Sequence, residues 1–171
     1  REAIFFVEDL VKKNEPLSEW QIKSILQLIL KNIDDKNAGV YRKTNVIISG
    51  ADHVPPDAMH VESEMQSFIS WYQTEGASLH PVERAARVHG DFVKIHPFVD
   101  GNGRTSRLLM NLELMKNGFP PVVLPVEKRL EYYETLDRAH TKNDYEAFLT
   151  LIEKIAELGF RPYWHALGVT P

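Results

Sequence analysis

Apolar residues recur three and four positions apart along most of the chain, and proline or glycine ends each run. That pattern commits the sequence to a set of short amphipathic helices. Residues 1–13 place Ile4, Val7, Leu10 and Val11 on one face, and Pro16 breaks the run. Ser18-Glu19-Trp20-Gln21 has the form of a capping box, in which the Ser18 hydroxyl and the Gln21 amide satisfy free backbone groups. The helix it opens is expected to reach about Asn32, with Ile22, Ile25, Leu26 and Ile29 as its apolar stripe. Pro55-Pro56-Asp57 opens another, to about Gln73, and Gly76 ends it. Pro81 opens a further one to about Ile95. Arg104 to Asn117 is strongly helical and is closed by Gly118 and Pro120-Pro121, and two more helices fit 127–139 and 144–158. Residues 39–54 depart from this pattern. Val46, Ile47 and Ile48 are β-branched and precede the turn-like Ser49-Gly50-Ala51-Asp52, which reads as a short β-hairpin. The expected fold class is mainly α, a single helical domain with one hairpin flap. Its expected parts are N-terminal helices over 1–34, a core over 35–160 and a tail over 161–171.

The chain of 171 residues suits one domain. It has no cysteine, which removes disulfides, thiolate metal sites and cysteine nucleophiles and fits a reducing compartment. Net charge is −4 and the 20 basic residues are scattered, so no nucleic-acid partner is expected. The longest apolar stretch falls far short of a membrane span, and no signal peptide is seen, so no membrane partner is expected either. The chain begins at Arg1 without a methionine, so it is expected to be a fragment. His53, His60, His80, His89 and His165 lack metal-like spacing with carboxylates and are expected on the surface or hydrogen-bonded in the core.

The segment His96-Pro97-Phe98-Val99-Asp100-Gly101-Asn102-Gly103-Arg104-Thr105-Ser106-Arg107 concentrates chemistry. Gly101-Asn102-Gly103 tolerates positive φ, and such a run can turn successive N–H groups toward one anion. The helix expected from Arg104 adds its partial positive charge there. Arg104 and Arg107 stand three apart on the first turn and suit a polyphosphate. Asp100 offers a hard oxygen of the kind that holds Mg²⁺ together with substrate phosphates. His96 can take a proton near neutral pH. Asp-Gly-Asn-Gly is also a turn sequence, but a helix rather than a strand follows it.

This segment resembles the Fic signature, His-Pro-Phe-x-(Asp/Glu)-Gly-Asn-Gly-(Arg/Lys)-x-x-Arg, with every fixed position present. Gly39-Val40-Tyr41-Arg42, the expected hairpin, Val54-Pro55-Pro56 and Leu79-His80-Pro81-Val82-Glu83 resemble Fic elements upstream of the signature. Pro120-Pro121 and Tyr132-Tyr133 resemble elements downstream, so that roughly residues 35–140 are covered. The pattern is similar to the AMP-transferring branch that includes the animal endoplasmic-reticulum enzyme and its bacterial relatives. The resemblance implies a nucleotidyltransferase that moves AMP from ATP to a Ser, Thr or Tyr hydroxyl of a target protein, and also modifies itself. It makes His96 the base, Phe98 the anchor of the loop and Asp100 the Mg²⁺ ligand. Gly101, Asn102 and Gly103 become the anion nest, with the Asn102 side chain also reaching a phosphate, and Arg104 and Arg107 become ligands of the β- and γ-phosphates. Tyr133 and His140 fall where family members contact adenosine, although relatives tend to carry Asn at position 140. Val46, Ile47, Ile48 and Ser49 would form the flap edge that binds an extended target segment by strand addition. A second copy of the chain is also allowed as a partner. The expected location is the cytoplasm of a bacterial cell.

Two neighbouring activities share such a loop: removal of AMP, and transfer of another phosphate-containing group. Intact Gly103 favours AMP over the kinase-like relatives. An inhibitory helix of pattern (Ser/Thr)-x-x-x-Glu-(Gly/Asn), whose Glu would pair with the second signature arginine, is not found in this chain, and in this branch it is expected upstream of Arg1. A catalytically idle interaction module is the reading from another class, and intact His96 and Asp100 argue against it.

Overall fold

The computed structural model describes residues 1–168. Seven α-helices follow in chain order: α1 Glu2–Lys13, α2 Glu19–Leu30, α3 Val61–Gln73, α4 Pro81–Ile95, α5 Asn102–Lys116, α6 Arg129–Lys142 and α7 Glu146–Leu167. The capping box opens α2 as the sequence requires. Ser18 Oγ accepts from the Gln21 N–H at 3.4 Å, and Gln21 Oε1 accepts from the Ser18 N–H at 3.1 Å. α5 begins two residues before the expected start, because Gly101 turns the chain at φ 84° and leaves Asn102 already helical. α7 runs past the expected end, through the exposed Pro162. Its last turns carry stacked Phe160 and Trp164 rings, 5.9 Å apart, and Phe160 packs edge-on against Phe119 at 5.8 Å. The segment expected as a tail from 161 is thus helix to Leu167, and residues 169–171 lie outside the described residues.

α4 is the centre. α5 packs along it most extensively, α7 and α6 cover another side, and α1 and α2 close over α5. Gly90 lets α7 approach, since a Cβ there would lie 3.0 Å from the Tyr145 ring. Phe92 from α4, Phe148 from α7 and Phe98 from the α4–α5 loop are fully buried and tie the loop to the core. No described helix is long and apolar enough to cross a membrane.

The expected hairpin is not formed. Among the described residues there is no strand, and residues 45–48 run as irregular extended chain into a turn whose backbone hydrogen bond joins the Ala51 N–H to the Ile48 carbonyl at 3.2 Å. A hairpin needs a neighbouring strand or a packed face to be stable, and here Ile47 is 85% exposed. The segment is instead held by side chains at its ends. Asn45 bonds Asp57 and the Ala58 N–H at 2.8 and 2.7 Å. The His53 N–H donates to Asp137 Oδ1 at 2.9 Å.

Two histidines are committed to the core in neutral form. His89 is fully buried, with Nε2 2.7 Å from the Tyr132 hydroxyl, and burial pushes its pKa down to about 3. His140 has Nε2 2.9 Å from the Gly90 carbonyl, and burial followed by the nearby His53 pushes it down to about 4. Both values lie below the ordinary 6.5, so the unfolded chain binds more protons in the interval between. Stability is therefore full above pH 6.5 and is lost as pH falls toward 4, at up to about 1.4 kcal/mol per pH unit per histidine. Urea midpoints measured from pH 7.5 to 4.5 are expected to fall steadily below 6.5, with a shallower slope in His140→Asn. An unchanged midpoint across that range would contradict this account.

Candidate active site

His96 caps α4 in the left-handed region, at φ 50° and ψ 57°, with its N–H on the Phe92 carbonyl at 3.1 Å. A non-glycine residue there costs roughly 1–2 kcal/mol, so something must hold it, and Arg42 does. This arginine is 3% exposed. Its Nε donates to the His96 carbonyl at 2.8 Å, Nη1 to the Thr44 carbonyl at 3.0 Å, and Nη2 to the carbonyls of Pro56 and, at 3.4 Å, Ile95. Its backbone N–H donates to the Pro97 carbonyl at 2.9 Å. Five carbonyls from three stretches of chain thus converge on one residue.

Beyond Pro97 the loop closes on itself. Asn102 is 2% exposed. Its Oδ1 accepts from the Phe98 N–H at 3.0 Å and its Nδ2 donates to the Phe98 carbonyl at 2.8 Å. The amide that was expected to reach a phosphate is thus committed to fixing the loop. Gly101 takes φ 84°, and a Cβ on it would come within 2.5 Å of Leu26 Cδ1. The positive φ requires glycine there, and a side chain would in addition have to displace the end of Leu26 on α2. Gly103 sits in the helix, where a Cβ would find only Arg107 Nη1 at 3.5 Å, so the fold itself does not demand glycine. The N–H groups of Asn102, Gly103 and Arg104 find no acceptor among the described residues, which leaves the positive end of α5 free.

His96, Gly103, Arg107 and Tyr133 line one cleft of about 620 Å³ with Ile48, Ser49 and His140. That volume falls in the range of small-molecule sites. Val46 and Ile47 do not line it. Asp100 and Arg104 stand outside the lining and pair with each other, Arg104 Nη2 to Asp100 Oδ2 at 2.9 Å, while Asp100 Oδ1 accepts from the Gly101 N–H at 2.6 Å. Arg107 has no carboxylate within ion-pair distance among the described residues, and it also borders a recess of about 500 Å³ lined by Val122, Leu124, Arg129 and Tyr133. His96 Nδ1 is buried beside the Val93 carbonyl without hydrogen-bond geometry to any partner, which leaves Nε2 as the ring edge toward the cleft. Burial pulls the His96 pKa below the ordinary imidazole value. The Val93 carbonyl opposes this, and Arg42 and His53 reinforce it. The ring is therefore neutral at pH 7 and able to accept a proton.

The sequence profile of the Fic/DOC family matches residues 16–114. The chain belongs to that family. The protein adenylyltransferase Fic of Nematostella vectensis is 38% identical over 172 residues, covering 99% of this chain and 40% of the relative. The protein of the same name from Drosophila grimshawi is 43% identical over 157 residues, covering 90% and 32%. A solved structure of C. elegans Fic-1 superposes with a TM-score of 0.84 at 32% identity, over 97% of this chain and 50% of that one. The chain thus spans two fifths or less of these two curated relatives. Both are animal proteins, so they lend no support to the bacterial origin expected above.

Arg42 is the residue whose role sequence reasoning missed. Two of its acceptors lie 53 and 54 positions away, so no local spacing announces them. Its replacement should be costly, because several buried carbonyls would lose their donor. Arg42→Met is expected to lower unfolding free energy by about 2–4 kcal/mol while keeping the helical circular dichroism of the native protein. Arg42→Lys should recover little of this, since an ammonium lacks the planar fork. Wild-type urea midpoints in both variants would refute the clamp.

Proposed function

We propose that this chain is a protein adenylyltransferase, which transfers AMP from ATP to a hydroxyl side chain of another protein and releases pyrophosphate. The observation that carries the reading is the placement of neutral His96 in the same cleft as the open N-terminus of α5 and the unpaired Arg107. The names of the Nematostella and Drosophila relatives support it.

In this reading the N–H groups of Asn102, Gly103 and Arg104 receive phosphate oxygens, and Arg104 and Arg107 take the outer phosphates. His96 Nε2 accepts the proton of the target hydroxyl as its oxygen bonds to the α-phosphorus and the bond to pyrophosphate breaks. Positioning and fixed positive charge supply most of the catalysis. Asp100 fits Mg²⁺, because it is an exposed carboxylate beside the first turn of α5, where phosphate oxygens could complete the coordination. Such an ion keeps its remaining positions for water and phosphate and would neutralise the charge of the leaving group. Arg104 must release Asp100 for this. Tyr133 and His140, which line the cleft, would face the adenosine. The irregular segment over Val46–Ser49 offers free backbone groups to an extended target.

His96→Ala is expected to lower AMP transfer by about 10²–10⁴-fold with Mg·ATP affinity unchanged by calorimetry. Asp100→Ala should weaken Mg·ATP binding and transfer together. Because the folded His96 pKa is depressed, the base form persists below pH 6.5. The acid limb of kcat/KM should therefore have its midpoint below that value. Retained transfer in His96→Ala would remove it from the role of base, and an acid midpoint above 6.5 would contradict the neutral imidazole.

A further inference from the structure

The cleft that holds the base also carries a hydroxyl of its own. Ser49 lines it with His96 and Arg107, and no other Ser or Thr does among the described residues. Two tyrosines share the lining. Tyr132 is buried, with its hydroxyl on His89, and Tyr133 is fixed on α6. Ser49 differs from Tyr132 in being exposed with no hydrogen-bond partner for Oγ among the described residues, and from Tyr133, which is also exposed, in standing on a turn outside any helix.

The surrounding chain gives Ser49 room to move. Residues 46–52 hang between two anchors, the Asn45 amide on Asp57 and Ala58 at one end and His53 on Asp137 and the Lys94 carbonyl at the other. Inside the span one backbone hydrogen bond is formed, from the Ala51 N–H to the Ile48 carbonyl, and Ile47 packs against almost nothing. A segment with so few contacts opens locally at small cost. Ser49 sits at its middle, the point farthest from either anchor. His96, in contrast, is held by the Arg42 clamp. A fixed base therefore faces a tethered nucleophile.

We propose that Ser49 is a site of self-adenylylation within the same molecule; this rests on the transferase reading above. Ser49 Oγ forms a bond to the α-phosphorus of ATP, the bond from that phosphorus to pyrophosphate breaks, the hydroxyl proton passes to His96, and pyrophosphate leaves. A short tether sets an effective concentration on the order of mM, so Ser49 outcompetes any free protein hydroxyl present at lower concentration. The product keeps adenosine attached to the wall of the cleft, where it obstructs the next ATP. The reaction therefore stops at one AMP per chain at this position and lowers transfer to other proteins.

The chain is incubated with isotopically labelled ATP and Mg²⁺, and the modified residue is located by tandem mass spectrometry. AMP is expected on Ser49, with a rate constant independent of protein concentration. Ser49→Ala should reduce total self-labelling at low protein concentration by about tenfold or more, and Ser49→Thr should restore it. In a mixture, a tagged His96→Ala chain should stay unlabelled at Ser49 beside the labelled wild type. Labelling confined to other residues, or Ser49 labelling that reaches the His96→Ala chain, overturns this proposal. In either case the transferase reading stands, because AMP has moved. Failure to release pyrophosphate while ATP is bound, with casein added as a hydroxyl-bearing acceptor, overturns both.

Discussion

The buried guanidinium of Arg42 is the contact on which the site depends. It has no buried carboxylate for a partner and is satisfied by carbonyl dipoles, four from its side chain and one from its backbone N–H. A charge removed from water at this cost persists only where most of its donors are used, as four of the five guanidinium N–H groups are here. The result is a junction between the end of α4, the start of the 44–56 segment and its end. His96 keeps its left-handed backbone because this junction leaves it no alternative.

The same constraint separates a rigid half of the cleft from a loose one. On the rigid side, Asn102 brackets Phe98, and Phe98 packs against Tyr41 and Phe92 with ring centroids 5.4 and 6.0 Å away. α5 is fixed at its far end too, where buried Glu113 accepts from the Tyr72 hydroxyl at 2.8 Å and lies 3.3 Å from Arg84 Nε. A helix pinned at both ends presents its first turn without play, as an anion site requires. On the loose side, residues 46–52 keep most of their backbone groups free for a partner. His96 and the first turn of α5 are thus held in place, while the 46–52 wall of the cleft has few contacts of its own.

The ion pair of Asp100 with Arg104 links these halves to charge. Both side chains are partly exposed, and a pair of that kind contributes little stability. It holds a carboxylate and a guanidinium together beside the first turn of α5, outside the lining of the cleft, and it can be separated at small cost. Arg107, free of such a pairing, remains open to the cleft.

The sequence by itself determined the helices and singled out the loop as the candidate site. Apolar spacing and the Ser18 capping box depend on neighbours within four positions, and those local rules survive folding unchanged. His96, Asp100, Arg104 and Arg107 were legible as candidates because one short segment supplies them all; only the fold decides that His96 and Arg107 share a cleft while Asp100 and Arg104 pair outside its lining. The hairpin was misread. Val46, Ile47 and Ile48 have strand propensity, but a strand forms only with a partner strand, and none pairs with them among the described residues. The commitment of the Asn102 amide to Phe98, and the close approach of the Leu26 side chain to Gly101, were decided only when α2 and the loop met in space. Arg42 is the clearest case. Its acceptors are peptide carbonyls, which every residue carries, so nothing in their identity marks them. Only the tertiary fold, which brings carbonyls from up to 54 positions away around one guanidinium, could assign its role.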